Sequence, residues 1–318
     1  MSLPRIAVVG CGAFGRNHLR VVRDSPRAQL AAAVDLDEAK AQQAAAEFGC
    51  EALTSLDGLD ADAAVVAVPT TLHAETGCAL MERGLDVLVE KPIAASIQDA
   101  TRLVETASAH RRVLQVGHLE RFNPAVAALK RVVSIPLFFE VHRMSVFAPR
   151  SLDVDVVLDL MIHDLDIVLA LVGEMPSEVR AAGIRILSEK VDIANVRLAF
   201  PGGCIANLTA SRASTEKVRK LRLFQPHEYI SLDYTRQDGM AISVGENRQI
   251  GFRPLAVEKR EPLAAHFDNF LDAIESRNAP LVGGVDGLRA LQVAQDILDK
   301  IEEHFRIVNA RLSAREQP

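Results

Sequence analysis

A lysine held between a glutamate and a proline is the first candidate for chemistry. Lys91 follows the apolar run Val87-Leu88-Val89 and stands between Glu90 and Pro92. Most lysines are solvated surface groups, but a partly desolvated lysine can hydrogen-bond a reacting hydroxyl or relay its proton. We therefore predict that Lys91 is a catalytic residue.

A predicted helix over 154–172 carries the second set of candidates. At ~100° per residue, Asp155, Asp159, His163 and Asp166 fall within an arc of roughly 80° on an otherwise largely apolar helix. Such a stripe faces either a polar cleft or, as the simpler alternative, a thin layer of solvent. Asp159 and His163 are i,i+4 neighbours, so the carboxylate can orient the imidazole. We predict both as catalytic residues.

A glycine-rich turn, Gly10-Cys11-Gly12-Ala13-Phe14-Gly15, joins a predicted strand to a predicted helix. Gly10 permits the tight turn, Gly12 lets the backbone approach a pyrophosphate, and Gly15 lets the helix pack closely. Asp35 ends the second predicted strand 20 residues after Gly15. Its carboxylate can bind the ribose hydroxyls of a dinucleotide and would repel a 2′-phosphate, so the sequence favours NAD over NADP.

Three further segments directly follow predicted strands. They are Pro69-Thr70-Thr71, Glu90-Lys91-Pro92 and Gly117-His118. In a parallel sheet the carboxyl ends of the strands share one edge, which is where ligands bind. We therefore expect Lys91 to lie at the same edge as the glycine-rich turn.

Strands and helices alternate over the first ~120 residues. This order predicts a doubly wound parallel sheet of the Rossmann type, covered by helices on both faces, and the sheet would position these residues. The predicted strands are Arg5–Val9, Gln29–Val34, 63–68, Asp86–Val89 and 113–116. The predicted helices are Ala13–Asp24, Glu38–Phe48, 72–83 and Ile97–His110.

The second half of the chain has a different pattern. A helix over 125–133, a strand over 137–147 and the helix over 154–172 precede strand candidates from 177 to about 252. Without a long helix between them, these strands predict a mostly antiparallel open sheet, and helices over 263–277 and 284–305 follow. We predict a dinucleotide-binding domain over 1–122 and an α+β domain for substrate binding and oligomerisation over 123–318.

Composition excludes several classes of protein. The 318 residues are 49% hydrophobic and 25% charged, which suits two globular domains, and no run of ~18 apolar residues predicts a membrane span. The net charge of −6 and the absence of Trp argue against nucleic-acid binding. Four scattered cysteines and no room for a signal peptide predict a cytoplasmic protein without a metal site.

Taken together, these motifs resemble the glucose–fructose oxidoreductase/inositol dehydrogenase/MocA (Gfo/Idh/MocA) family. The resemblance implies that Lys91 and His163 flank the substrate carbon that exchanges hydride with the nicotinamide. It also implies a cis peptide bond before Pro92. The predicted cofactor-binding residues are Gly10, Gly12, Ala13, Phe14, Gly15, Asp35, Val68, Pro69, Thr70, His73, Glu90 and Lys91.

A narrower resemblance links the segments 117–124 and 159–164 to UDP-N-acetylglucosamine 3-dehydrogenases, which begin the synthesis of 3-amino sugars. It implies substrate contacts at His118, Arg121 and Asn123. For a nucleotide sugar, basic residues such as Arg143 and Arg212 would meet the diphosphate, or else lie on a solvated sheet face. Asp155-Val156-Val157-Leu158 replaces the glycine that many family members have ahead of the Asp-x-x-x-His motif.

Two alternatives to a UDP-sugar dehydrogenase stay open. One is an inositol or free-sugar dehydrogenase on the same scaffold, and the other is a catalytically silent NAD-binding regulator. The resemblance also implies a homodimer or homotetramer formed through the C-terminal sheet, because an open sheet face needs a cover. A pathway aminotransferase is a further possible partner.

Overall fold

The computed structural model describes residues 3–147, 154–245 and 248–313. Backbone contacts divide the chain into two compact units. The first comprises Met1–Phe122 and Arg260–Leu288, and the second comprises Asn123–Lys259 and Arg289–Pro318. The segment Arg260–Leu288 thus groups with the first unit, whereas the sequence assigns it to the second domain. The functional roles of the two domains stay predictions.

The first unit is built on a six-stranded parallel sheet in the order β3-β2-β1-β4-β5-β6. Its strands are β1 (Arg5–Val9), β2 (Gln29–Val34), β3 (Glu51–Leu53), β4 (Ala63–Val66), β5 (Asp86–Val89) and β6 (Leu114–Val116). The helices are α1 (Ala13–Asp24), α2 (Glu38–Phe48), α3 (His73–Glu82), α4 (Ile97–His110) and α7 (Pro262–Ser276), with short 3₁₀ turns at Thr70–Leu72 and Leu119–Phe122. This is the predicted Rossmann fold.

Helices on both faces explain why the central strands are almost entirely apolar. All four residues of β4 and of β5 are buried, as parallel strands covered on both faces require. Sequence analysis missed β3, because a three-residue edge strand with two exposed positions leaves no hydrophobic pattern.

The second unit is an eight-stranded sheet in the order β14-β13-β12-β11-β7-β10-β9-β8. Its strands are β7 (Phe138–Val146), β8 (Glu178–Ile184), β9 (Ile193–Ala199), β10 (Ile205–Ser214), β11 (Val218–Gln225), β12 (Glu228–Asp233), β13 (Asp238–Val244) and β14 (Ile250–Pro254). All neighbouring pairs are antiparallel except β7 with β10. The predicted fold class, a Rossmann sheet followed by a mostly antiparallel sheet with helices, is confirmed.

The core of the second unit lies between one face of this sheet and its helices. These are α5 (Pro124–Lys130), α6 (Ile162–Val172) and α8 (Gly284–Ser313), whose first residues belong to the first unit. Inward-facing sheet residues such as Val141 and Leu208 share a buried cluster with Ile162 and Ile297. The sheet strands alternate buried and more exposed positions, so one face of the sheet lies against the core and the other face is more exposed.

The predicted helix over 154–172 is interrupted in its first part. A π-helical turn spans Val157–Met161 and leads into α6. Asp155 precedes this turn, and its Oδ1 accepts a hydrogen bond from the backbone N–H of Val191 at 2.8 Å. Asp155 thus lies before the helix and is bound to a distant segment. The prediction that it belongs to the polar stripe of the helix was wrong.

Among the described residues, every helix is too short or too polar to cross a bilayer.

Candidate active site

The glycine-rich turn brings α1 very close to the sheet. A Cβ on Gly15 would lie 1.7 Å from the carbonyl oxygen of Gly10, and a Cβ on Gly10, whose φ is +100°, would lie 2.5 Å from the carbonyl oxygen of Ala67. A Cβ on Gly12 would meet no atom within 4 Å. Gly10 and Gly15 therefore permit close packing, while Gly12 faces open space that a phosphate could fill.

Asp35 is fixed by two backbone donors at the end of β2. The N–H of Cys11 donates to its Oδ2 at 2.8 Å, and the N–H of Asp37 donates to its Oδ1 at 2.9 Å. The first of these bonds ties the carboxylate to the glycine-rich turn. Asp35 therefore stands where the sequence predicts a ribose-binding carboxylate.

A cation that the sequence pattern did not predict lies beside Asp37, two residues after Asp35. The Nζ of Lys40 lies 3.3 Å from Oδ2 of Asp37, and Asp37 caps α2 by accepting hydrogen bonds from Ala39 N and Lys40 N. The N–H of Lys40 is the main cause that lowers the pKa of Asp37 below its ordinary value. An ionised Asp37 forms an exposed ion pair with Lys40, the one basic side chain among the described residues that line the cavity beside Asp35. The position of Lys40 in the first turn of α2 was its only sequence signal.

A cavity of about 770 Å³ opens at this edge of the sheet, within the range of small-molecule sites. Its lining includes the predicted cofactor residues Gly10, Gly12, Asp35, Val68 and Pro69. It also includes Thr54, Ser55 and Leu56 after β3, which sequence analysis did not predict. Polar groups at one end and apolar walls suit a nucleoside, so the residues present fit a dinucleotide cofactor.

The remaining predicted cofactor residues lie along the same edge. Ala13 and Phe14 open α1, and the Phe14 side chain is 51% exposed. Thr70 opens the 3₁₀ turn, for which Pro69 is the N-cap residue. These positions are compatible with the predicted cofactor contacts, which stay predictions.

His73 is buried and faces two backbone carbonyl oxygens. Its Nδ1 lies 2.9 Å from the oxygen of Pro92, and its Nε2 lies 3.0 Å from the oxygen of Val68. Burial lowers the pKa of His73, which favours the neutral ring. The ring links the segment after β4 to the segment after β5. The two described contacts of His73 are therefore with backbone carbonyl groups of the protein, and its predicted cofactor contact stays a prediction.

The segment after β5 places Lys91 at the predicted edge. Lys91 is half-buried, and the Lys91–Pro92 peptide bond is cis, which confirms that part of the prediction. The N–H of Lys91 donates to Oε2 of Glu90 at 3.2 Å, and the Nε2 of buried His18 lies 2.6 Å from Oε1 of the same carboxylate. Sequence analysis gave no role to His18, although its place three residues after Gly15 was a positional signal.

Two predicted substrate residues follow β6. His118 is fully buried, and burial together with the nearby Arg121 and Lys91 lowers its pKa to about 3. Arg121 lies 3.2 Å from the carboxylate of Asp286. His118 is therefore neutral at ordinary pH, and Arg121 is held by an ion pair within the first unit.

In the second unit, Asp159 lies in the π-helical turn and His163 is the second residue of α6. Both side chains are half-buried, whereas Asp166 is buried. π-Helical turns inside helices occur frequently at functional sites, because they shift the side chains on either side relative to a regular helix.

The three other predicted substrate contacts are buried in the second unit. The Nε and Nη2 of Arg143 donate to the two carboxylate oxygens of Asp164 at 2.6 and 2.9 Å. Arg212 donates to the carbonyl oxygens of Val154 and Val191 and pairs with Asp192. Asn123 caps α5 by accepting from Ala125 N, and it donates to the carbonyl oxygen of Tyr234. Arg143 and Arg212 occupy buried positions of β7 and β10. The alternative that these arginines lie on a solvated sheet face is therefore wrong.

The chain belongs to the Gfo/Idh/MocA family of NAD(P)-dependent dehydrogenases. Residues 4–118 match the oxidoreductase family with an NAD-binding Rossmann fold, and residues 133–225 match the GFO/IDH/MocA C-terminal domain. The chain is 35% identical to the UDP-N-acetylglucosamine 3-dehydrogenase of Acidithiobacillus ferrooxidans, over 94% of this chain and 97% of that protein.

A solved structure and one further relative extend the comparison. A solved structure of the same Acidithiobacillus ferrooxidans enzyme superposes with a TM-score of 0.90, covering 95% of this chain and 99% of that one at 34% identity. An inositol 2-dehydrogenase of Rhizobium meliloti is 25% identical over 95% of this chain and 98% of that protein.

The two glycine environments predict that an added methyl group lowers stability at Gly15 and weakens dinucleotide binding at Gly12. We expect Gly15→Ala to lower the free energy of unfolding by roughly 2–3 kcal/mol, because its Cβ would overlap the Gly10 carbonyl. Gly12→Ala should cost at most about 1 kcal/mol but weaken dinucleotide binding about tenfold or more. Urea unfolding and calorimetric titration with NAD⁺ measure the two effects. Equal stability of the two variants would contradict the packing argument.

Proposed function

We propose that this dehydrogenase uses NAD⁺ to oxidise a sugar ring hydroxyl to a ketone, and that the substrate is the 3-hydroxyl of UDP-N-acetylglucosamine. The observation that carries the proposal is 35% identity to a UDP-N-acetylglucosamine 3-dehydrogenase over nearly the full length of both proteins. The cavity beside Asp35 supports the use of a dinucleotide.

Each predicted catalytic residue has a role in this reaction. NAD⁺, when bound, accepts a hydride from the ring carbon. Lys91 hydrogen-bonds the reacting hydroxyl, and His163, oriented by Asp159, removes or relays its proton. General base assistance contributes about 10²–10⁴-fold, and orientation must supply most of the remainder. Neither Lys91 nor His163 alone is assigned as the immediate base.

The substrate contacts are proposed in two groups. His118, Arg121 and Asn123 stay proposed contacts of the nucleotide sugar. Arg143 and Arg212 instead have a structural role inside the second unit, because each already pairs with a buried carboxylate, Asp164 or Asp192. A buried guanidinium that has a carboxylate partner gains little from moving to a phosphate.

Turnover of UDP-N-acetylglucosamine with NAD⁺, followed through NADH absorbance, tests the proposal. We expect the wild-type chain to oxidise this substrate, and we expect Lys91→Ala or His163→Ala to lower kcat by ~10² or more with little change in NAD⁺ affinity. A partner aminotransferase that captures the 3-keto product would establish the position of oxidation.

The same assay separates the alternatives. Faster turnover of inositol or a free sugar would favour that enzyme class over a UDP-sugar dehydrogenase. Tight NAD⁺ binding with no turnover of any of these substrates would identify a regulator instead. Near-normal turnover in either variant would reject the assigned role of that residue.

We also propose that the cofactor is NAD rather than NADP, because Asp35 would repel a 2′-phosphate and Asp37 neutralises Lys40. Replacing both carboxylates in Asp35→Ser/Asp37→Ser keeps a capping residue at the start of α2 and frees Lys40. The ratio of kcat/KM for NADP⁺ to that for NAD⁺ should rise about tenfold or more. Adding Lys40→Ala should remove most of this gain, and an unchanged ratio in the double variant would contradict the explanation.

We further propose a homodimer or homotetramer that covers the open face of the second unit's sheet. An aromatic row supports this: the Phe138 and Phe224 ring centroids are 5.8 Å apart, and those of Phe224 and Tyr229 are 4.8 Å apart. Phe224→Glu should shift the mass measured by light scattering towards that of the single chain, because it places a charge in the proposed contact. An unchanged mass would locate the contact elsewhere, and a wild-type chain that is already monomeric would refute the proposed oligomer.

A further inference from the structure

A cluster of buried polar side chains lies behind the Lys91 segment in the first unit. It contains His18 on α1, Glu90 after β5, Gln115 on β6 and His266 on α7. His18, Gln115 and His266 have no solvent exposure, and Glu90 is 8% exposed. Buried polar groups are costly unless they are hydrogen-bonded, so the pattern of bonds here indicates what the cluster does.

Glu90 is the centre of this cluster, and its two carboxylate oxygens have different partners. His18 Nε2 donates to Oε1 at 2.6 Å, and the backbone N–H of Lys91 donates to Oε2 at 3.2 Å. One carboxylate therefore joins a side chain of α1 to the peptide group that carries Lys91. A Cβ on Gly117 would lie 2.7 Å from Oε2, so the absence of a side chain there leaves the carboxylate room to sit in this position.

The surrounding groups make His18 the donor on which the carboxylate depends. Burial tends to raise the pKa of Glu90, but the hydrogen bond and charge of His18, with a smaller contribution from His266, hold it below its ordinary value. Burial lowers the pKa of His266 to about 4, and its Nε2 donates to the carbonyl oxygen of Val116 at 3.2 Å. The side-chain amide of Gln115 is bound to the carbonyl oxygen of His266.

His73 and His118 are two further buried imidazoles near Glu90, and burial lowers the pKa of both, that of His118 to about 3. Arg121 and Lys91 lower the pKa of His118 further, whereas the Glu90 carboxylate raises it. A buried carboxylate that lost its strongest side-chain donor would become protonated or reorient, because an isolated buried charge is unfavourable. Either change would release the Lys91 peptide from its present position.

We propose that His18 is a positioning residue for Lys91 that acts through Glu90. The hydrogen bond from α1 fixes the Glu90 carboxylate, which in turn fixes the Lys91 backbone. The helix α1 also begins at the glycine-rich turn. The proposed phosphate-binding end of α1 and the Lys91 segment are therefore joined through the bond between His18 and Glu90. The inference rests on the proposed catalytic role of Lys91, and it reassigns Glu90 from a cofactor contact to this connection.

Three variants test the proposal. His18→Leu removes the donor, while His18→Gln keeps an N–H at about the reach of the imidazole Nε2. Val22→Ala truncates another fully buried side chain of α1 that belongs to the apolar core, so it controls for a loss of stability alone. Melting temperature and NAD⁺ affinity are measured for all three, together with kcat and KM.

We expect His18→Leu to lower kcat about tenfold or more while the Kd for NAD⁺ changes less than about threefold. His18→Gln should restore kcat to within about threefold of the wild type, and Val22→Ala should lower the melting temperature with kcat unchanged. Wild-type kcat in His18→Leu would overturn the proposal. So would a glutamine variant as impaired as the leucine variant, since the donor would then have no effect.

Chemical labelling of Lys91 provides a readout that needs neither cofactor nor substrate. At fixed pH, the rate of reductive methylation of Lys91 in the unliganded protein should rise about threefold or more in His18→Leu, with exposed Lys300 unchanged as the internal reference. An unchanged Lys91 rate would contradict the proposed connection. If Lys91→Ala kept normal turnover, the proposed catalytic role of Lys91 would fail, and the labelling result would still decide whether His18 holds this segment.

Discussion

The close approach of Gly15 to the Gly10 carbonyl sets the geometry of the first unit. A side chain at Gly15 would overlap that oxygen, so only glycine allows α1 to start directly against the end of β1. Once α1 lies there, the N–H of Cys11 reaches Asp35, and His18 on the buried side of α1 reaches Glu90. The glycine-rich turn, the Asp35 carboxylate and the lysine segment therefore depend on one backbone contact. A small displacement of α1 would change all three.

The second unit uses buried charge to fix its own polar elements. Arg143 on β7 and Asp164 on α6 form two parallel hydrogen bonds with almost no solvent exposure. Such a pair adds little net stability over an apolar pair, but loss of either partner leaves an unpaired buried charge at a cost of about 3–5 kcal/mol. The pair thus restrains the helix residue next to His163. Arg212 and Asp192 restrain the segment around Val154 and Val191 in the same way.

The ribose end of the cofactor cavity shows how specificity can depend on compensation between charges. Asp35 alone would disfavour a 2′-phosphate, whereas Lys40 alone would attract one. The ion pair between Lys40 and Asp37 places a second carboxylate beside that cation. On the proposal that this chain uses NAD, cofactor preference would depend on three side chains rather than on one acidic residue.

Local sequence pattern determined most of the first unit and the class of its ligand. The bounds of β1, α1, β2, α2, β5 and α4 follow from hydrophobic periodicity and turn residues alone, and the glycine spacing with Asp35 predicted a dinucleotide site. The cis bond before Pro92 followed from the motif resemblance. These features depend on neighbours in the chain or on motifs of fixed spacing.

Only the tertiary structure decided the partners of the buried polar groups. The bond from His18 to Glu90 joins residues 72 positions apart, and that from Arg143 to Asp164 joins residues 21 positions apart. The bond from Val191 to Asp155 likewise decided where the helix before His163 begins, and the grouping of Arg260–Leu288 with the first unit arose from packing. The spacing of hydrophobic residues in the sequence predicts which positions are buried. The hydrogen-bond partner of a buried polar group depends on which distant segments the fold brings together.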